Sequence, residues 1–364
     1  MADRLVTLAD VGTSAAAALG LPGCSDRIGL GSARAVVVCL IDGLGWQSLQ
    51  DHTTSAPFLA SMAGRSIAAA FPTTTPVGLA SLGTGLLAGA HGLVGAAFEL
   101  PETGEVLAPL QWGHRPNALA VQPDPTLFER MASHGIRVST LSPSAYEQSG
   151  LTRAVLRGGA YEAVEDIGSR VERVRALTAD PARSFTYVYW GELDRVGHEH
   201  GVDSAAWRDA LSRVDRLVER LSEALAPGTC MVVTADHGMV DSPPHARFDL
   251  DAEPLLRAGV RRWAGEPRMR HVYTDEPEWV AAAWRDVLGA RADVLTRDEM
   301  VDRGLMGPLS PDHVDRVGNV LAIARDHWIL ASRVDALVSG LRGQHGGLTP
   351  QEVLIPALVE RTAD

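Results

Sequence analysis

Short Val-rich runs that stop at a polar residue, each followed by helical periodicity, set the pattern of this chain. AVVVCLID at 35–42 is almost continuously apolar, as expected of a strand covered on both faces. FTYVYWGELD at 185–194 and MVVTADHG at 231–238 repeat the design. Between them, 162–177 and 204–225 carry apolar residues three and four apart. In the second segment Trp207, Leu211, Val214, Leu217 and Leu221 mark one face, and Arg208, Asp215, Arg216 and Glu219 the other. Strands alternating with helices predict an α/β fold with a mostly parallel central sheet and helices on both faces. Such a fold gathers polar residues at the carboxyl ends of its strands into one crevice. After about residue 260 the pattern changes to a charged strand–helix–strand segment and then another strand pair. The region 262–335 is therefore expected to be a small inserted cap. The core would comprise 1–261 and 336–364, re-entered through HGGLTPQEVLIPALV.

Composition narrows the class. A chain of 364 residues is one large domain or a core with one insertion, and 46% hydrophobic with 21% charged is an ordinary globular mixture. All 33 basic residues are Arg, set against 45 acidic ones, for a net charge of −12. That balance argues against a nucleic-acid scaffold or an anionic membrane surface as partner. No run approaches the roughly 18 apolar residues of a membrane span, and the start lacks a basic targeting segment. Cys24, Cys39 and Cys230 show no CxxC spacing, and two of them sit in strand-like runs, so buried free thiols in a reducing cytoplasm are expected.

Candidate chemistry collects at the ends of these runs. Asp42 closes the first and is followed by Gly43-Leu44-Gly45; Asp194 and His198 stand four apart in DRVGH. Asp236 and His237 follow MVVTA, and His345 lies in GQHGG. Each alone has an ordinary reading: a turn or cap aspartate, a surface helix pair, a loop histidine. Together they form two clusters of good Zn²⁺ ligands. In FPTTTPVGLASLGTG at 71–85, Thr75 immediately precedes Pro76 and an apolar periodic run. Thr75 is expected as the helix cap with Pro76 in the first helical position, which places its hydroxyl where negative charge is stabilised. On that segment alone a plain cap is the preferred reading, with nucleophilic attack on phosphorus as the sharper one.

The ordered motifs IDGLG, PTTT, LDRVGHEHG, TADHGM and QHGG, spread from 41 to 347, resemble the alkaline phosphatase superfamily, and within it the type I phosphodiesterases and nucleotide pyrophosphatases. The resemblance implies an alkaline phosphatase-like fold and two zinc sites, with Mn²⁺ or another divalent ion also suited to Asp/His ligands. One site would use Asp194, His198 and His345. The other would use Asp42, Asp236 and His237, with Thr75 facing it as metal ligand and nucleophile. The implied activity is cleavage of phosphodiester or pyrophosphate bonds in nucleotide-like small molecules through a phospho-threonine intermediate. Alternatives are a phosphonate hydrolase resembling phosphonoacetate hydrolase, a phosphomonoesterase and, outside catalysis, a metal-stabilised binding protein. No sulfatase-type Cys- or Ser-x-Pro-x-Arg motif occurs.

Two departures from the family pattern concern substrate and leave the metal ligands intact. Pro76-Val77-Gly78-Leu79 replaces an aromatic and Pro-Asn-His after the threonine, and His91-Gly92 is followed by Leu93-Val94-Gly95-Ala96 where a phosphate-contacting Asn is usual. Arg261, Arg262, Arg268 and Arg270 are candidates for meeting an anion, and Trp112, Tyr146 and Trp190 for lining the cleft. His91 is read as fixing a turn and His200 as a solvent-facing loop residue, and the remaining histidines have no ligand-like spacing. No oligomeric state follows from the sequence.

Overall fold

The computed structural model describes residues 5–363. Its centre is a seven-stranded sheet formed by β1 (Ala35–Ile41), β2 (Ala63–Ala68), β3 (Arg137–Ser142), β4 (Ala160–Ala163), β5 (Ser184–Trp190), β6 (Thr229–Thr234) and the C-terminal strand Leu354–Arg361. The order across the sheet is β2, the C-terminal strand, β6, β1, β5, β3, β4. Only the C-terminal strand runs against the rest. Every residue of β1 is buried, which is why its sequence is apolar without alternation. In register, Ile41 lies beside Trp190 and Leu40 beside both Tyr189 and Thr234. The three strands therefore end together, and Asp42, Gly191 and Asp236 emerge on one edge.

Helices cover both faces: α1 (Leu8–Ala18), α2 (Thr75–Thr84), α3 (Ile167–Ala179), α4 (Glu192–His200) and α5 (Ala205–Ala224). All ten residues of α2 are buried. The Ser204 side chain caps α5 by accepting from Trp207 N at 3.1 Å.

Two segments differ from the sequence expectation. Residues 162–163, the start of the first expected helix, instead belong to β4, which pairs with β3 at the sheet edge, and α3 begins at Ile167 after the Asp166 cap, so strand pairing overrides local helical periodicity. The run at 185–194 stops as a strand at Trp190, and Asp194 stands in the first turn of α4.

A second, antiparallel sheet is ordered β7 (Val260–Glu266), β8 (Met269–Thr274), Val320–Ala324, Ala292–Thr296. The helix Pro277–Leu288 packs Val280, Ala281, Trp284 and Leu288 onto it, giving an apolar cluster separate from the main core. The two parts are joined by a buried bidentate pair: Arg268 Nε and Nη2 donate to Glu352 Oε1 and Oε2 at 3.0 and 2.7 Å. Glu352 also accepts from Gly347 N at 2.8 Å and Thr349 Oγ1 at 2.6 Å, so the buried charge is fully satisfied. Cys39 and Cys230 are buried free thiols; Cys24 is free and half-buried. No helix among the described residues is long and apolar enough to cross a membrane.

Candidate functional site

Asp42 leaves β1 into Gly43, whose φ of +75° favours glycine and whose Cβ, if present, would lie 3.0 Å from Asp194 Cα. That close approach brings the end of β1 against α4. Asp42 Oδ2 accepts from Tyr189 OH at 2.5 Å, while Oδ1 has no partner. Asp236 Oδ1 accepts from Gly43 N at 3.3 Å and His237 N at 3.1 Å, while Oδ2 has no partner. Asp194 Oδ1 is likewise unpartnered.

The three histidines share one arrangement. Nδ1 of His198, His237 and His345 lies against the carbonyl oxygens of Gly343 (2.8 Å), Gly238 (3.0 Å) and Thr73 (3.0 Å). A carbonyl only accepts, so Nδ1 carries the proton and each Nε2 presents a lone pair inward. His198 and His345 Nε2 are 3.2 Å apart, an unfavourable meeting of two acceptors unless a cation lies between them. His198 Nε2 is 3.4 Å from Asp194 Oδ2. His237 Nε2 is 3.5 Å from Asp42 Oδ1 and 3.6 Å from Asp236 Oδ2. The rings of His237 and His345 stack at 3.7 Å.

Two ligand groups result, each with its atoms within 4.8 Å: Asp194, His198 and His345, and Asp42, Asp194 and His237. Asp236 adjoins the second through His237. Unpartnered carboxylate oxygens and inward lone pairs are what divalent cations satisfy, so the donor set fits metal. Without a cation, burial together with Asp236 and Asp194 pushes the Asp42 carboxyl well above its usual range. Burial also raises Asp236, against the opposing effect of His237. His345 is held well below the usual histidine value by burial and by its two neighbouring histidines.

Thr75 is the first residue of α2, and Thr74 occupies the cap position expected for Thr75. The shift of one residue frees the Thr75 hydroxyl from capping, and its Oγ1 lies 3.2 Å from His237 Nε2. Gly78 makes this possible: a Cβ there would lie 2.6 Å from Asp236 Cβ, so only glycine lets the first turn of α2 rest on Asp236.

A cavity of about 660 Å³ opens from Asp42, Thr75 and Asp194 and is lined by Leu79, Leu110, Leu151, Tyr146, Arg170 and Trp190, among others. Of the aromatic candidates, Tyr146 and Trp190 line it, whereas Trp112 is buried with its indole N–H on Pro116 O at 2.9 Å. The arginine candidates are engaged elsewhere: Arg261 and Arg262 with Glu99, Arg268 with Glu352, Arg270 with Asp335. His91 is buried against Ser81 Oγ at 3.1 Å, and His200 is exposed beside Glu199. Tyr189, Gly78 and Glu266 carry parts of the site that the motifs do not flag. Glu266, on β7, reaches within 3.7 Å of His345 Nδ1, so the second sheet touches the ligand cluster.

The model of the family described as type I phosphodiesterase / nucleotide pyrophosphatase matches residues 36–348. The chain belongs to this family, and so to the alkaline phosphatase superfamily. Murine ectonucleotide pyrophosphatase/phosphodiesterase 5 has a similar structure, with TM-score 0.71 and 21% identity over 88% of this chain and 87% of that one. The human counterpart gives 0.70 and 18% over 90% and 87%. At these identities the likeness concerns the fold. Phosphopentomutase from Anaeromyxobacter sp. (strain K) is 25% identical over 176 residues, covering 48% of this chain and 42% of the mutase. The chain thus spans less than half the length of the curated mutase that it matches.

Proposed function

We propose that this family member hydrolyses phosphodiester or pyrophosphate bonds in small molecules, with Thr75 as nucleophile. The observation that carries the reading is Thr75 Oγ1, uncapped and 3.2 Å from His237 Nε2, at the convergence of three inward imidazole nitrogens and three unpartnered carboxylate oxygens. Asp194, His198 and His345 would hold one divalent ion and Asp42, Asp236 and His237 a second, zinc in our reading. When bound, such a pair of cations lowers the proton affinity of a hydroxyl and offsets charge on the leaving oxygen.

The residues of the chain then have definite tasks. Thr75 gives up its hydroxyl proton and its Oγ attacks phosphorus, and the new Oγ–P bond replaces the bond to the leaving alcohol or phosphate, which takes up a proton. Water later releases the phosphoryl group, still bearing its second substituent, as a phosphomonoester and restores the threonine. The N-terminus of α2 favours the negative charge of the phosphoryl group. Tyr189 holds the Asp42 carboxylate in place, and the backbone carbonyls on each Nδ1 fix the three rings. Cavity space beside Thr75 leaves room for a second ester substituent, which favours diesters over monoesters. Tyr146, half exposed in the cavity, offers the aromatic face that position 76 lacks, as a nucleotide-like substrate requires. The neighbouring murine structure, solved also as an inactive Thr→Ala variant in complex with AMP, supports a nucleophilic threonine and a nucleotide-type ligand. Residues 262–335, through Glu266, would form the cap closing one side of the site.

The test is turnover of bis-p-nitrophenyl phosphate, p-nitrophenyl phosphate and phosphonoacetate by zinc-loaded protein, with metal analysis. Wild type is expected to prefer the diester and bind two metals per chain. Thr75→Ala should keep its metals and lose both turnover and the covalent nitrophenylphosphoryl adduct that mass spectrometry is expected to find at position 75 of wild type. Two bound metals with no turnover of any substrate would instead support a binding protein.

A further inference from the structure

Arg170, on α3, is only 1% exposed yet lines the same cavity as Thr75 and Asp194. Its guanidinium carbon lies 4.9 Å from the centre of the Trp190 ring. Nη1 donates to Asp166 O at 3.2 Å, Nε has no partner, and no carboxylate pairs with it among the described residues. Its two acidic neighbours are engaged elsewhere. Glu165 accepts from Ser144 N and Oγ at 2.9 and 2.8 Å, and Asp166 accepts from Ser169 N and Oγ at 2.9 and 2.6 Å. Trp190 Nε1, also in the cavity wall, is a second buried donor without a partner.

The Glu165 and Asp166 carboxylates stay charged in those bonds and attract Arg170 without pairing with it, so the buried guanidinium keeps an unsatisfied Nε, which is unfavourable, whereas the arginines of the second sheet are all paired. The indole face keeps Arg170 flat and oriented, and a guanidinium stays charged even where burial lowers its proton affinity. Trp190 leads through Gly191 directly into α4, and Asp194 of that helix lines the same cavity as both donors.

We propose that Arg170 and Trp190 Nε1 form a second anion subsite, and that preferred substrates carry a further acidic group, carboxylate or phosphate, held there while the reacting phosphorus sits at Thr75. This rests on the hydrolase reading above and specifies its substrate class. Arg170 is thus a specificity-determining residue that touches no reacting atom.

The experiment compares ligand pairs as competitive inhibitors of bis-p-nitrophenyl phosphate turnover by the zinc-loaded full chain. The pairs are pyrophosphate against orthophosphate, and phosphonoacetate against methylphosphonate. Wild type should prefer the two-acid ligand in at least one pair by about 10- to 100-fold, the range of a charge-assisted contact. Arg170→Met should remove most of that preference, and Trp190→Phe, which keeps a ring and loses the N–H, a smaller part. The pair whose ratio falls tells phosphate from carboxylate. No preference in wild type, or ratios unchanged in an Arg170→Met protein with wild-type metal content and melting temperature, would overturn the subsite. If Arg170→Met does not fold, Arg170→Lys decides on the same ratios, because an ammonium cannot reproduce the fork. Absence of turnover in wild type would refute the hydrolase reading alone; the ratios are then taken by calorimetric titration and still decide the subsite.

Discussion

Gly78→Ala isolates the contact that seats Thr75, the proposed nucleophile. A methyl at position 78 would lie 2.6 Å from Asp236 Cβ and 3.1 Å from its Cα, where ordinary carbon contacts need about 3.5 Å. The opposing atoms belong to a buried residue beside a sheet strand and cannot swing away, so α2 must move by several tenths of an ångström. Overpacking of this kind costs about 1–3 kcal/mol. With an unfolding entropy of about 0.8 kcal/mol/K for 364 residues, the melting temperature should fall by roughly 1–4 °C. The effect on activity should be larger. Thr75 is three residues away on the same rigid turn, and misplacing a reacting group by about 1 Å costs on the order of 100-fold. The assay is kcat/KM for bis-p-nitrophenyl phosphate in zinc buffer, with thermal unfolding of the same samples. Gly113→Ala, where an added Cβ meets nothing within 4 Å, serves as control and should leave both unchanged. Wild-type kcat/KM in Gly78→Ala would refute the claim that this contact positions Thr75.

Tyr189→Phe removes the donor at 2.5 Å from Asp42 Oδ2 and should weaken metal retention about 10- to 100-fold in a chelator competition; unchanged retention would mean that Tyr189 does not support the site. Metal removal should destabilise more as pH rises. Asp42 and Asp236 have raised proton affinities, so their contribution is present below about pH 4 and lost as pH climbs through their folded values, while the lowered His345 opposes protonation at acid pH. The melting-temperature gap between zinc-loaded and chelated protein should therefore be wider at pH 8 than at pH 5, and an equal gap would contradict it. Two other buried histidines govern acid stability: burial lowers His91 to about 3 and His271 to about 4 from 6.5. Each stays neutral in the folded chain at pH 5 while the unfolded chain takes up a proton, a loss of about 2 kcal/mol per residue between pH 7 and 5. Denaturant midpoints of His271→Gln should fall less over that interval than those of wild type; identical falls would exclude His271 as a cause.

What the sequence reveals here follows from which interactions are local. Asp42, Asp236 and His237 stand out because a polar residue ending a wholly apolar strand has few roles, and Asp194/His198 because their spacing already places them on one face of α4. The register that brings them together, Ile41 beside Trp190 and Leu40 beside Thr234, is a long-range pairing without a local signature. Thr75 is displaced from the expected cap by one residue, since either threonine before Pro76 can occupy that position and the packing of Gly78 on Asp236 selects between them. The arginines flagged in the second sheet look available in sequence, but their carboxylate partners Glu99, Glu352 and Asp335 lie 65 or more positions away. Arg170 is hidden for the opposite reason. It sits in an amphipathic helix where an arginine is ordinarily a solvated residue, and only the tertiary structure shows it buried against Trp190.

Charge gives the site its direction. The chain carries −12 overall, and Asp42, Asp194 and Asp236 place three carboxylates within a few ångströms of one another. Burial makes three such charges untenable together, which is why the Asp42 and Asp236 carboxyls are pushed toward the protonated form. Two dications on the proposed ligands would change the local sum from −3 to +1, and the strain that raises those carboxyls becomes the driving force for holding the metals. Arg170, which pairs with no carboxylate among the described residues, would add to that positive end. With those metals bound, a chain of net charge −12 would present small anions with an electropositive interior, and selection of substrate would rest on the few groups lining it.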